Sequence, residues 1–257
     1  MLKENYQKLK STLGLSWQLA KANFKLRNEG SYLGILWYLL APLIYFIVLV
    51  GLFQGNIGSN IPNYPLYVLL GLIMFNFFSG TTSRATRMVI ENAGFIKSMK
   101  VNYFSLILAN ILQFTFSHIF ELILFIGFMI YYHLALIPIF YYLLVFIVLT
   151  IFIIGISFII SAIGVYINDL DSLWQVFLMV LWILTPIFYS AEQAGYLPLI
   201  VKLNPLTYFL TIARDLIIYS RIPSIHLMLL LFLISIVTFG IGILIFNILK
   251  SRFAERV

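Results

Sequence analysis

Two ionisable side chains stand close together inside one of the long apolar runs of this sequence. His118 and Glu121 are three residues apart within the run 104–131. A charged carboxylate at the centre of a bilayer costs roughly 2.5–3.5 kcal/mol. We therefore expect Glu121 to face protein or water and to contact His118, or Asn110 and Gln113, on the same helix. The pair is either a contact on a transport pathway or a hydrogen bond between helices.

A short acidic loop is the second group of residues that could do chemistry. Asp169, Asp171 and Ser172 lie between two apolar runs. Carboxylates can bind a metal ion, but before a helix they more often accept hydrogen bonds from the unpaired amides of the first turn. We therefore predict helix caps here and no metal site. The sequence has no cysteine, which excludes disulfides and thiolate metal sites.

Residues for nucleotide hydrolysis are missing. The sequence contains no G-x-x-x-x-G-K-[ST] loop, so we predict no ATP site, no bound cofactor and no enzymatic activity in this chain. Ion-coupled carriers usually hold several buried carboxylates or histidines, and one Glu–His pair is too few. The net charge of +7 lies at the ends of apolar runs, which favours an effect on membrane orientation and argues against a nucleic-acid partner.

Aromatic residues are 17% of the chain, and nine of those on two apolar runs are candidates for lining a path. Such rings could stack on the apolar faces of sugars while the sugar hydroxyls stay in water. A path lined by them would be slippery and weakly selective. The alternative is packing against lipid, or a belt at the membrane surface. The nine candidate lining residues are Trp37, Tyr38, Tyr45, Phe46, Trp174, Phe177, Trp182, Phe188 and Tyr189.

A charged stretch with an apolar face occupies residues 84–102. A stretch of this kind can dock as a helix in the groove of a partner protein. The alternative is a solvated loop. The candidate docking residues are Ile90, Glu91, Asn92, Phe95, Ile96 and Lys97.

The composition requires lipid as the solvent for most of the chain. Hydrophobic residues are 62% and charged residues 10%, whereas soluble domains carry about 25% charged residues. About 20 apolar residues cross the hydrocarbon core of a bilayer, and six runs qualify. They are 33–53, 64–83, 104–131, 137–166, 173–190 and 225–249. We therefore predict an all-α integral membrane protein with six transmembrane helices in a single domain, 1–257.

The basic residues predict the orientation of these spans. Thirteen Lys and Arg fall on one side, against three on the other, which places both termini in the cytoplasm. The thirteen are Lys3, Lys8, Lys10, Lys21, Lys25, Arg27, Arg84, Arg87, Lys97, Lys100, Lys250, Arg252 and Arg256, and the three are Lys202, Arg214 and Arg221.

Two segments outside the spans have patterns of their own. In residues 4–27 a stripe that includes Trp17, Ala20 and Phe24 recurs at steps of three or four, which predicts an amphipathic helix on the inner membrane surface, or packed on a partner. Residues 191–224 alternate short apolar stretches with prolines, and each stretch is too short to cross. They predict short re-entrant outer helices that form either a lid or a structural cap.

The run from Gly30 to Trp37, followed by Pro42 and Leu43, resembles the opening of the first span in permease subunits of polysaccharide ABC exporters. These are the Wzm-like O-antigen permeases of the type-2 exporter family and their capsule and teichoic acid relatives. Three further stretches agree, namely 92–97, 185–190, and 204–206 together with Arg214 and Asp215. The stretches occur in the family's order from end to end of the chain.

The resemblance implies a homodimer bound to two copies of a separate ATPase subunit, which would hold ATP and Mg. The complex would export a lipid-linked polysaccharide across the bacterial cytoplasmic membrane. Spans one and five would line the conduit, 88–100 would hold the coupling helix, and 191–224 the outer gate. Implied gate residues are Pro198, Asn204, Pro205 and Arg214; implied residues for substrate admission and its lipid diphosphate are Arg27, Gly30, Ser31 and Gly34. Where the family has a basic residue before Gly30, this chain has Glu29.

Other functions are kept as alternatives. An exporter of this family could carry teichoic acid, capsule, a drug or a lipid. A membrane enzyme acting on lipid-linked sugars is more distant, because it would need paired carboxylates or a basic diphosphate clamp at the membrane surface. A small-solute channel or carrier is disfavoured by the scarcity of buried ionisable groups.

Overall fold

The computed structural model describes residues 2–30, 32–94, 102–193 and 198–253, and these residues are helical with no strand. Four 3₁₀ turns, at Gly34–Leu36, Ile57–Asn60, Ala191–Gln193 and Lys250–Arg252, join or extend the α-helices. The ten α-helices of the described part are α1 (Leu2–Asn28), α2 (Trp37–Phe53), α3 (Tyr64–Ala85), α4 (Met88–Glu91), α5 (Tyr103–Tyr131), α6 (Ile139–Gly164), α7 (Leu170–Leu184), α8 (Pro198–Leu203), α9 (Pro205–Ile217) and α10 (Ile225–Leu249).

Four of these helices, α3, α5, α6 and α10, have the length and composition of membrane spans. They have 22, 29, 26 and 25 residues. The other two predicted spans also contain apolar helices, but α2 has 17 residues and α7 has 15. The run 33–53 opens with a 3₁₀ turn, and in the run 173–190 the helix stops before Pro186, because proline disfavours the helical conformation of the residue before it. Six crossings therefore remain a prediction.

Helix α3 is the central element of the described fold. It packs against α2, α5, α6 and α9, and its first fifteen residues, 64–78, are buried except for Asn76. Helices α6 and α10 form the most extensive pair. Their backbones touch at Gly155 and Gly242, where a Cβ atom on either residue would collide with the other helix. Small residues allow this close approach, which is the main source of packing energy between helices in lipid.

The helices define two ends of the bundle. The basic end contains Arg84 and Arg87, and there the hydroxyl of Tyr166 donates to the carbonyl of Leu249 at 3.0 Å. The opposite end contains α8, α9 and the segment that follows α7. There the hydroxyl of Tyr64 donates to the carbonyl of Phe188 at 2.8 Å. Each end is thus tied by hydrogen bonds between distant segments.

Helix α1 lies along α5. The ring of Trp17 meets that of Phe116 at 5.4 Å, and Phe24 contacts the rings of Phe116 and Phe120. Ala20 is fully buried between these two aromatic residues of α1. The predicted apolar stripe therefore covers another helix of the same chain, and its relation to a membrane surface stays a prediction.

Candidate functional site

The four predicted lining residues of α2 divide into two pairs. Trp37 and Tyr45 are 51% and 62% exposed, whereas Tyr38 and Phe46 are buried. Eight residues make little more than two helical turns, so each pair shares a face of the helix. Tyr38 stacks on Phe24 of α1 at a centroid distance of 5.6 Å. Of these four residues, only Trp37 and Tyr45 are therefore open to a path outside this chain.

Helix α7 is exposed on almost every side. Leu178 is its single buried residue. Trp174 donates its ring N–H to the hydroxyl of Thr82 on α3 at 3.1 Å and stacks on Phe177 at 4.8 Å. Phe177 itself is 47% exposed. The ring pair thus presents an aromatic face beside one polar anchor to α3.

The remaining three predicted lining residues meet where α7 ends. The ring of Phe188 lies 5.5 Å from that of Trp182 and 5.2 Å from that of Tyr189, and it stacks on Phe53 at 5.0 Å. The hydroxyl of Tyr189 donates to the carbonyl of Ile183 at 2.8 Å. Trp182, Phe188 and Tyr189 therefore form one aromatic cluster at the opposite end of the bundle.

The cavity between α2, α3 and α5 measures ≈ 270 Å³. Its lining includes Arg27, Trp37 and Tyr45, together with His118 and Glu121. The predicted lining rings of α2 and the buried ionisable pair of α5 thus share one space.

Glu121 is held by residues of two helices. Its carboxylate lies 3.5 Å from Nδ1 of His118 and accepts from the amide of Asn76 at 3.4 Å. Nε2 of His118 lies 2.8 Å from the hydroxyl of Tyr142. The predicted contact with His118 is confirmed. Asn110, the predicted alternative, donates instead to the carbonyl of Thr81.

Arg27, near the end of α1, lines this cavity. The guanidinium of Arg27 lies 5.0 Å from the ring centre of Tyr38 and 5.2 Å from that of Phe114. Gly30 and Gly34 have φ values of 79° and 47°, in the left-handed region that glycine adopts without strain. Ser31 lies outside the described residues. Arg27 therefore combines a cation with an aromatic wall beside the cavity.

The basic end connects the predicted docking stretch to α7. The hydroxyl of Thr86 donates to the carboxylate of Asp171 at 2.9 Å, and Arg87 lies 3.9 Å from the same carboxylate. Arg84 and Glu91 form an ion pair at 2.7 Å. The expectation that Asp171 caps α7 is therefore wrong, because its carboxylate instead accepts a hydrogen bond from Thr86, directly after α3.

The structure also gives the positions of Asp169 and of two predicted docking residues at this end. Asp169 occupies the N-cap position of α7 but makes no capping hydrogen bond with its side chain, so that part of the cap prediction is also wrong. Ile90 is exposed, and the amide of Asn92 donates to the carbonyl of Met88 at 2.8 Å. Phe95, Ile96 and Lys97 lie outside the described residues.

Arg214 is the most deeply placed cation at the opposite end, with 3% of its surface exposed. Its guanidinium donates to the carbonyls of Pro186, Ile187 and Tyr67 at 2.7, 3.0 and 3.0 Å. Two of these carbonyls belong to the non-helical segment that follows α7. Because an unpaired buried carbonyl is costly, Arg214 braces the end of α7 against α3 and α9.

Asn204 and Pro205 start α9. The side chain of Asn204 accepts from the amide of Leu206 at 3.0 Å and donates to the hydroxyl of Thr185 at 2.8 Å. Pro205 occupies the first helical position, where no amide is needed. Pro198 begins α8. The implied gate residues Asn204 and Arg214 are thus buried fixtures of the fold, and their role in a gate stays a prediction.

A second polar cavity, of ≈ 550 Å³, lies at the opposite end. Tyr67, Asp215, Tyr219 and Arg221 are among its lining residues. Partial burial raises the pKa of the Asp215 carboxyl, and the nearby charge of Arg221 opposes that shift. Burial likewise raises the pKa of the Tyr219 hydroxyl. The cavity therefore carries hydrogen-bond donors and acceptors beside tyrosine rings.

Several residues of these sites were not predicted from the sequence. Asn76, Thr86 and Thr185 each bind a predicted residue from a different helix. A polar side chain inside an apolar run is the signal that could have found Asn76. For Thr185, the signal is its place before Pro186, where a helix ends and leaves carbonyls without donors. In the described ranges, no three His, Asp or Glu side chains cluster to hold a metal ion.

The chain matches known proteins over most of its length. The ABC-2 type transporter family matches residues 15–218. The O-antigen export system permease protein RfbA of Myxococcus xanthus is 27% identical over 256 residues, which cover 95% of each chain. RfbA of Klebsiella pneumoniae is 27% identical over 255 residues, or 96% of this chain and 98% of the relative. The polysialic acid transport protein KpsM of Escherichia coli is 29% identical over 89 residues, 34% of each chain.

The family match covers the aromatic face of α2, the docking stretch, α7 and the Arg214 brace together. It also agrees with the resemblance inferred from the residues near Gly30, near Pro186 and near Asn204. These features jointly show that the chain belongs to the ABC-2 type transporter family.

Proposed function

We propose that this chain is the membrane-spanning permease subunit of an ATP-driven exporter. It moves an O-antigen-like, lipid-linked polysaccharide from the cytoplasmic to the outer side of the bacterial cytoplasmic membrane. The observation that carries this proposal is the similarity to O-antigen export permeases over 95% of both chains. The chain contributes no ATP site, so a separate ATPase subunit with ATP and Mg supplies the energy.

Two copies of the chain form the conduit in this proposal. Helices α2 and α7 expose Trp37, Tyr45 and Phe177, and most residues of α7 are exposed or only partly buried in its own chain. A helix this exposed gains packing when a second copy covers part of it. Two copies related by a twofold axis bring the same rings from both sides. The aromatic faces then give sugar rings a surface without fixed, selective contacts.

The basic end receives the ATPase subunit and faces the cytoplasm. Arg87 and the exposed Ile90 line one cavity together with Asp171, in the first turn of α7. The Thr86–Asp171 hydrogen bond joins the docking stretch to the helix that lines the conduit. A displacement of the stretch by the ATPase is therefore passed to α7. In this proposal the chain crosses six times, an even number that agrees with both termini in the cytoplasm.

Reconstitution tests the proposal directly. The full chain and its ATPase subunit are placed in liposomes with a fluorescent lipid-linked glycan, and glycan on the far side is measured. We expect transport that needs ATP and both subunits. The matched control is an ATPase subunit whose phosphate-loop lysine is replaced. Transport by the chain without its ATPase subunit, or ATP hydrolysis by the chain alone, contradicts the proposal.

A capsule-type polysaccharide is the second candidate substrate. The similarity to KpsM, the polysialic acid transport protein, favours it, but it covers only 34% of each chain. The two substrates are separated by offering the liposomes an O-antigen-type and an acidic capsule-type glycan on the same lipid. We expect the O-antigen-type glycan to be exported faster, and a reversed order would favour the second candidate.

A further inference from the structure

An apolar groove of ≈ 490 Å³ runs between α6, α9 and the start of α10, in the half of the bundle opposite the basic end. Its wall is formed by aliphatic and aromatic side chains. They include Tyr141, Leu144, Phe209, Ile212, Leu216 and Met228. Leu144 and Tyr141 are exposed, so the groove is open along its outer side. In a membrane, a hydrocarbon chain can enter it laterally.

The polar cavity of ≈ 550 Å³ lies next to this groove, and one charged residue lines both hollows. That residue is Arg221. On the cavity side it is accompanied by Tyr67, Gln193, Thr211 and Tyr219. These side chains offer hydroxyl and amide groups and two rings, which is the chemistry that binds sugar hydroxyls and ring faces.

The backbone fixes Arg221 at the boundary. After α9, Ser220 lies in the left-handed region, at φ 50°, and the amide of Arg221 donates to the carbonyl of Asp215 at 2.7 Å. A left-handed conformation is uncommon for a residue other than glycine. The backbone at Ser220 is therefore held in a specific conformation, which positions Arg221.

The charge of Arg221 is open to a ligand. The side chain is exposed, and its guanidinium lies 5.7 Å from the ring centre of Tyr219. No carboxylate of the described residues lies within 4 Å of it as an ion pair. Guanidinium groups bind phosphate with two parallel hydrogen bonds. The carboxylates of Glu192 and Asp215 line the cavity side, whereas Arg221 is the charged residue in the lining of the groove. Charge complementarity therefore favours an anionic group beside Arg221 at the mouth of the groove.

We propose that these two hollows form one binding site for the exported glycolipid on the outer side of the membrane. The hydrocarbon chain of the carrier lipid lies in the groove, its phosphate binds Arg221, and the first sugars lie in the polar cavity. The site rests on the proposed function for its orientation and its ligand. A phospholipid of the outer leaflet would use the groove and Arg221 but would leave the cavity lined by Tyr67 and Thr211 without a role.

Photolabelling of the assembled exporter tests the site. The full chain and its ATPase subunit are reconstituted, and a polyisoprenyl diphosphate glycan with a diazirine in its hydrocarbon chain is offered with ATP. We expect labelled peptides within 138–148 and 209–231. Arg221→Gln lowers labelling about tenfold, because it removes a charge-assisted contact. Leu144→Trp fills the groove and also lowers labelling, whereas Arg221→Lys retains part of it.

Three comparisons complete the experiment. Lys202→Gln removes another exposed cation of the same end and should leave labelling unchanged. A diazirine-bearing phosphatidylglycerol should label the groove weakly when the glycolipid competes. Equal labelling by both lipids, insensitivity to Arg221→Gln, or labelling only outside 138–148 and 209–231 overturns the site. Glycan export is measured in the same vesicles: export without groove labelling overturns the site alone, and absence of export contradicts the proposed function itself.

Discussion

Helices α3 and α7 are both apolar, yet they have opposite surroundings. In the most apolar window of α3, 78% of the residues are buried, whereas α7 buries only Leu178. Lipid is as apolar as the helices, so apolar composition does not by itself drive helices together. Close packing and hydrogen bonds place α3 at the centre. Helix α7 is instead held by a few polar anchors, which leaves exposed the surface that the proposed function assigns to a second copy and to substrate.

The largest expected effect comes from a matched pair of phenylalanines on these two helices. Phe77 of α3 is 2% exposed and packs against His118 and Phe146, whereas Phe177 of α7 is 47% exposed. We expect Phe77→Ala to lower the free energy of unfolding by about 3–5 kcal/mol. Phe177→Ala should change it by less than about 0.5 kcal/mol. Thermal unfolding of the purified chain measures both, and equal losses would refute the contrast.

The Arg214 brace gives the next effect, since it joins the two helices at one end. Arg214→Gln removes donors from the carbonyls of Tyr67, Pro186 and Ile187. We expect a loss of about 2–3 kcal/mol in the free energy of unfolding, because buried carbonyls are left unpaired. Lys202→Gln on the exposed face of α8 is the control and should have little effect. An Arg214→Gln chain as stable as the control would mean that the brace is dispensable.

At the basic end, a single hydroxyl joins α3 to α7. Thr86→Val keeps the shape of the side chain and removes the hydrogen bond to Asp171. We expect a loss of about 1 kcal/mol in stability and a lower ratio of glycan exported to ATP hydrolysed. Thr150→Val, whose hydroxyl donates to the carbonyl of Phe146 within α6, is the matched control for the coupling ratio. An unchanged ratio in Thr86→Val would show that coupling takes another route.

The smallest effect concerns the second anchor of α7. Trp174→Phe keeps an aromatic ring on Phe177 and removes the N–H bonded to Thr82. We expect a stability loss of about 0.5–1 kcal/mol. Thr82→Val removes the same bond from the α3 side, so a double-mutant cycle isolates it. A coupling energy near zero would show that packing alone holds this part of α7.

The parts of this structure that were predictable from sequence are those that depend on local patterns. All six apolar runs contain helices, and the three-residue spacing of His118 and Glu121 led to their observed contact. The cap prediction for Asp171 failed because its partner, Thr86, is 85 residues away. Likewise, the sequence predicts that the helix ends before Pro186, but only the packing of α9 on α3 shows that Arg214 binds the carbonyls of Pro186 and Ile187.

The most direct test uses the absence of cysteine from the chain. Single replacements Phe177→Cys on α7 and Leu233→Cys on α10 are made in the assembled exporter and treated with a membrane-impermeant thiol reagent. A thiol reacts as thiolate, which requires water. We predict that Phe177→Cys reacts and that the lipid-linked glycan protects it, whereas Leu233→Cys, exposed on the bundle surface, does not react. A Phe177→Cys chain as unreactive as Leu233→Cys in every nucleotide state would contradict a conduit along α7.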